Sequence, residues 1–207
     1  MRMSLGGWTT VADLEAYGRA CSGWDAEMSA GSERTLNWIA AWGLLVGAAF
    51  GLAGTLVRSP YVQASLWAID SVGLVIATSL LALKYFRAGA DIIAGGFLVF
   101  AIGEGVLLSG TAAGPSGSVP AFAAGTALWA AALALISAPR QLPSWPRFLG
   151  AVAACLFAVT AARIYAGEVL LPTSSPLPFL AYPFLVATLL SWAWMLVREP
   201  TTARPAA

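Results

Sequence analysis

Four charged residues stand inside otherwise apolar stretches of this 207-residue chain: Asp70, Glu104, Arg163 and Glu168. Carboxylates and a guanidinium in such a setting can hold a proton, bind a cation or polar solute, or clamp helices as buried ion pairs. Placing a charge at mid-bilayer costs roughly 2.5–3.5 kcal/mol on insertion scales, so each one needs a partner, water or a proton. Counting residues from the expected helix ends puts Asp70, Glu104 and Arg163 at about the same depth, ~8–12 Å below one boundary. Three helices presenting charge at one level are expected to turn those charges toward one another.

Arg163 has no good partner on its own helix, because Glu168 is five positions on, about 140° around the wheel. An interhelical pair with Asp70 or Glu104 is the expectation, since guanidinium and carboxylate match as a two-bond fork. Two carboxylates then face one guanidinium, so one of them is expected to carry a proton. Glu104 is the choice, because Phe97, Phe100 and Leu108 share its face, whereas Asp70 has Ser71 beside it and Gly73 near by.

Other chemistry is thin. The chain has no histidine, which excludes His-ligated haem, HExxH zinc sites and Ser-His-Asp catalysis. Cys21 and Cys155 stand apart, so neither a disulfide nor a metal site is expected. No phosphate-binding or dinucleotide glycine pattern is present, and Ser109, Ser137 and Ser191 have no base beside them in sequence. No catalytic residue, metal or cofactor is expected, and the chain reads as non-enzymatic.

The elements that must position these charges are membrane helices. Hydrophobic residues make up 59% of the chain and charged residues 10%, with mean hydropathy +0.78. Ordinary soluble domains carry about 25% charge. The apolar runs are continuous, unlike the alternating strands of a barrel, and helices satisfy their own backbone in lipid. The expected fold is an all-α bundle of six spans, near 35–57, 65–85, 90–109, 119–138, 148–171 and 177–197. Residues 1–34 form a cytoplasmic N-terminal segment with a short helix broken by Gly18, Gly23 and Gly31. Residues 35–198 form the transmembrane domain, and 199–207 a disordered cytoplasmic tail. Pro183 is expected to kink the sixth span.

Lys and Arg placement gives orientation. Arg2, Arg19, Arg34, Lys84, Arg87, Arg140, Arg147, Arg198 and Arg204 fall on one set of flanks and Arg58 alone on the other. The positive-inside rule then puts both termini in the cytoplasm. No cleavable signal peptide is seen, so the first span is expected to serve as an uncleaved anchor. A composition rich in arginine, alanine and glycine associates with a GC-rich bacterial genome, so the expected location is a bacterial inner membrane.

Aromatic residues at the boundaries read as anchors: Trp38, Trp42, Trp145, Trp192 and Trp194 on the inner side, Tyr61, Trp67 and Tyr182 on the outer. Gly43, Gly47 and Gly51 form a small-residue face on span one, and Gly150, Ala154, Ala158, Ala162 and Ala166 another on span five. Such faces let helix backbones approach closely, within the bundle or between copies. A faint internal echo joins Leu66-Trp67-Ala68 to Leu128-Trp129-Ala130, and Gly103-Glu104 to Gly167-Glu168.

Three functional expectations follow, the third being an intramembrane enzyme. The first is a non-enzymatic membrane component or accessory subunit, held in a homo-oligomer or to a membrane partner. The second is a small proton-linked carrier or channel for an ion or polar solute, using the intramembrane charges. Net charge of +1 gives no reason to expect nucleic acid as a partner; the expected partner is the lipid bilayer.

Overall fold

The computed structural model describes residues 11–111 and 117–199, with the backbone alone for residues 11–30. Among the described residues six helices follow one another: α1 Val11–Leu56, α2 Pro60–Arg87, α3 Asp91–Thr111, α4 Val119–Ser137, α5 Ser144–Tyr165 and α6 Ala181–Arg198. The described residues contain no strand. Each helix, counting Gly31–Leu56 for the first, is long and apolar enough to cross a membrane. The chain is therefore a multi-pass helical membrane protein.

Local sequence explains the helix ends. Pro60 opens α2 and Pro120 lies in the first turn of α4, where the missing N–H is not needed and the fixed φ suits a helix. Between α2 and α3 the chain reverses in three residues. Gly89 takes φ +72, and the Ala88, Gly89 and Ala90 amides bond back to Lys84, Phe86 and Tyr85 carbonyls. At the C-terminus of α4, Arg147 donates from Nε to the Ser137 carbonyl at 2.8 Å and from a terminal nitrogen to Ala138 at 3.1 Å. A cation there satisfies carbonyls that have no partner within the helix.

The described residues fall into two units, 11–37 with Glu199 and 38–198. In the smaller unit Asn37 donates to Glu199 Oε2 at 3.2 Å, and the Thr35 hydroxyl returns to the Gly31 carbonyl at 3.0 Å. In the larger unit, from α2 onward, each helix packs on the next in sequence. Its centre is aromatic. Phe97 meets Trp192 edge-on at 4.9 Å, Phe100 stacks on Trp129 at 5.7 Å, and Phe157 joins Trp129 to Tyr182 at 5.1 and 5.9 Å.

The Gly43, Gly47, Gly51 face is engaged inside the chain, against α2. A Cβ at Gly43 would stand 2.6 Å from the Gly73 carbonyl oxygen, one at Gly47 would enter the Leu74 side chain, and one at Gly51 would reach Asp70 Oδ2 at 2.8 Å. An oligomer contact through this face would have to displace α2. The second stripe is divided: Gly150 and Ala154 are buried, while Ala158, Ala162 and Ala166 are exposed.

Several sequence expectations need correction. Helix α1 runs through Gly18, Gly23 and Gly31 without a break, since an internal glycine weakens a helix but does not end it. Helix α5 stops at Tyr165, short of the expected 171, because Gly167 turns the chain at φ +99. Pro183 is the third residue of α6, a first-turn position that leaves no hydrogen bond to break and so no kink. Trp192 is buried, and Trp67 and Tyr182 are half-buried; all three face protein, whereas Trp38, Trp42, Trp145, Trp194 and Tyr61 are exposed as anchors would be. The expected disorder of the tail concerns residues 200–207, outside the described residues.

Candidate functional site

Asp70 lies ten residues into α2 and Glu104 seven residues before the end of α3. At 1.5 Å per residue, that is about 15 and 10 Å from the helix ends on one side of the bundle. Asp70 is deeper than expected because α2 begins at Pro60 rather than near residue 65. The α2–α3 packing turns both side chains inward, leaving Glu104 1% exposed and Asp70 9%. They lie close enough for their charges to interact.

One bond within the pair's surroundings is well formed: Ser71 Oγ donates to Glu104 Oε2 at 3.0 Å. The other Glu104 oxygen, Oε1, and Asp70 Oδ1 are buried without a protein partner. Trp129 Nε1 is also buried without one; it lies near the Glu104 carboxyl but outside hydrogen-bond geometry. These are exceptions in this bundle. The hydroxyls of Thr78, Thr126, Thr160, Thr188 and Ser191 each donate to a carbonyl three or four residues earlier. Buried polar groups are nearly always satisfied, so three unsatisfied ones at one place call for an explanation.

All three belong to residues that border a cavity. A space of about 370 Å³ reaches from the helix ends at Thr55, Pro60, Thr111 and Ser118 down to Asp70, Ser71, Glu104 and Trp129. Pro60 and Thr173, at its outer end, are exposed. Trp67, which rests on Gly54, forms part of the wall, as do Phe122 and Tyr182. Gln63, whose amide donates to the Gly54 carbonyl at 2.9 Å, lies near the entrance. No lysine or arginine is among the lining residues.

Arg163 and Glu168 are elsewhere. Arg163 pairs with Glu168 through NH2–Oε2 at 2.6 Å and Nε–Oε1 at 3.0 Å, both side chains well exposed. This corrects the expected interhelical pair with Asp70 or Glu104. Helix α5 does not continue through Glu168 as a helical-wheel reading requires. Instead the Glu168 amide bonds back to the Arg163 carbonyl at 3.1 Å, so the turn at Gly167 folds the glutamate over the arginine. The structure thus joins Asp70 with Glu104 and sets Arg163 with Glu168 apart.

The internal echo divides similarly. Trp67 and Trp129 both line the cavity, but of the two glutamates only Glu104 does. Tyr182, lying close to Asp70 and Glu104, and Trp129 are the residues that sequence reading missed. Among the described residues no three His, Cys, Asp or Glu side chains gather in a group able to hold a metal ion, and Cys155 is exposed. No family model, curated protein or solved structure matches the chain.

Proposed function

We propose that this protein is a small proton-linked carrier that binds its solute at the Asp70–Glu104 pair. One observation carries the reading: two carboxyl groups buried in the bundle, without a basic partner, border a cavity that leads to the end of the helices. Carboxyls at membrane depth need neutralising by a protein cation, a proton or a guest. With Arg163 engaged by Glu168, proton and guest remain. Proton and solute would then exchange at one site, which is the chemical basis of coupled carriage.

The alternative of a purely structural accessory subunit has less support, because the Gly43–Gly51 face that would hold a second copy is filled by α2. The Lys/Arg bias supports reading the cavity entrance, on the Arg58 side, as facing away from the cytoplasm and both termini as facing it, in what we take to be a bacterial inner membrane. Tyr182, Trp67 and Gln63 would shape the path from that side.

Reconstitution tests this. Proteoliposomes carrying an imposed pH gradient and an internal pH dye should discharge the gradient when a carried solute is added, and the Asp70→Asn, Glu104→Gln variant should not. Wild-type liposomes that hold their gradient against cationic, neutral and anionic small solutes alike would contradict carriage.

A further inference from the structure

The chemistry of the cavity narrows its guest. Its polar floor is acidic: Asp70 and Glu104 both line it, and each has one buried oxygen without a protein partner. The Trp129 indole N–H, buried without a hydrogen-bond partner, lies beside the Glu104 carboxyl, and Trp129 also lines the cavity. A floor of this kind repels anions, and complementarity of charge is what suppresses wrong partners. The walls are apolar and aromatic, lined by Trp67, Phe122, Tyr182 and several leucines. Aromatic faces attract cations that are weakly hydrated and repay the burial of an apolar body.

A bare metal ion fits poorly. Ca²⁺ takes six to eight oxygen ligands and Mg²⁺ an octahedron, while the lining between entrance and floor is mostly hydrocarbon. A volume of about 370 Å³ is at the lower end of the range for small-molecule sites, ~300–1,000 Å³. It suits a molecule with one ring and a short chain.

Resting on the carrier reading, we infer that the guest is a small organic monocation: a protonated amine with an apolar, ring-sized body. The ammonium meets the Asp70–Glu104 pair and the body lies between Trp67, Phe122 and Tyr182. The charge balance is explicit. When the pair holds a proton, the arriving monocation takes its place and one proton leaves, so the net charge of the site is unchanged. Facing the pair are the Ser71 hydroxyl from α2, the Trp129 N–H from α4 and the Tyr182 phenol from α6, while α1 contributes Gly51. Asp70 and Glu104 are therefore the groups whose proton is exchanged.

Three probes of one shape and different charge decide the matter: 2-phenylethylammonium, 2-phenylethanol and 3-phenylpropionate, each measured by equilibrium dialysis against the purified full chain in detergent. The amine should bind saturably, at least about tenfold tighter than the alcohol, with the acid weakest. Its affinity should rise with pH while the amine itself stays protonated. Asp70→Asn and Glu104→Gln should each weaken it by about tenfold or more, with thermal melting showing that both variants remain folded. If alcohol and amine bind equally, the charge assignment is overturned while the cavity remains a solute site. If none of the three binds, both the assignment and the carrier reading fail.

Discussion

Ser71 reaches from α2 to Glu104 on α3 with the one well-formed hydrogen bond at the site, 3.0 Å long. Ser71→Ala removes that donor and leaves a buried carboxyl oxygen without it. The expected cost is about 1–2 kcal/mol, read as a lower melting temperature. Trp129→Phe has the opposite logic. It keeps the ring stacked on Phe100 and deletes an N–H that has no partner, so melting should change little while amine binding changes. Arg163→Gln, at an exposed pair, should leave both melting and binding as they were. Asp70 and Glu104 were legible in the sequence because a charge interrupting an apolar run is conspicuous and costly. Trp129 and Tyr182 were not, because an aromatic residue in a membrane helix reads the same whether it anchors at the interface or lines a cavity. Arg163 was misassigned for a different reason. Its partner depends on where α5 ends, and a left-handed glycine at 167 moves Glu168 from the far side of a helical wheel to contact.

The helices position the pair through close approach. Gly43, Gly47 and Gly51 let α2 lie against α1, and Gly51 faces Asp70. Gly43→Ala would drive a methyl against the Gly73 carbonyl, and backbone cannot step aside as a side chain can. The expected cost is about 1–3 kcal/mol, seen in thermal melting. Gly95→Ala serves as the control, since a Cβ there meets nothing within 4 Å and helix propensity favours alanine by up to about 1 kcal/mol. Spans and small-residue stripes are visible in sequence because their period is local. The choice of neighbour is not, and the same spacing serves a contact within the chain or between chains. The start of α4 beside Pro120 was legible to the residue, the start of α2 at Pro60 was placed five residues late, and the end of α5 was wrong because a glycine turn replaced an expected helical stretch after Tyr165.

At the scale of the molecule, the bundle is sealed by aromatic packing at its centre and open along one side of that packing. Tyr85, Phe97, Trp192, Phe100, Trp129, Phe157 and Tyr182 form a continuous series of ring contacts, and the cavity lies beside its Trp129–Tyr182 end. The account expects the entrance to be wet and on the non-cytoplasmic side. In a background with Cys21 and Cys155 replaced by serine, a membrane-impermeant maleimide applied to intact cells should label Thr173→Cys, at the entrance, and not Ile102→Cys, which is exposed on the outer surface of α3. Strong labelling of cysteines placed at Arg140, with none at Thr173, would reverse the orientation.

The claim on which the rest depends is that Asp70 and Glu104 are present for binding and not to hold the bundle together. Thermal melting in detergent of the wild type beside the Asp70→Asn, Glu104→Gln double variant tests it most directly. Neutral amides of the same shape remove the cost of keeping two ionisable groups in a dry interior and break no pairing with a protein cation. The account predicts a melting temperature equal to that of the wild type or higher, with amine binding lost. A variant that melts far below the wild type would show the pair to be a structural clamp, and the account would be wrong at its centre.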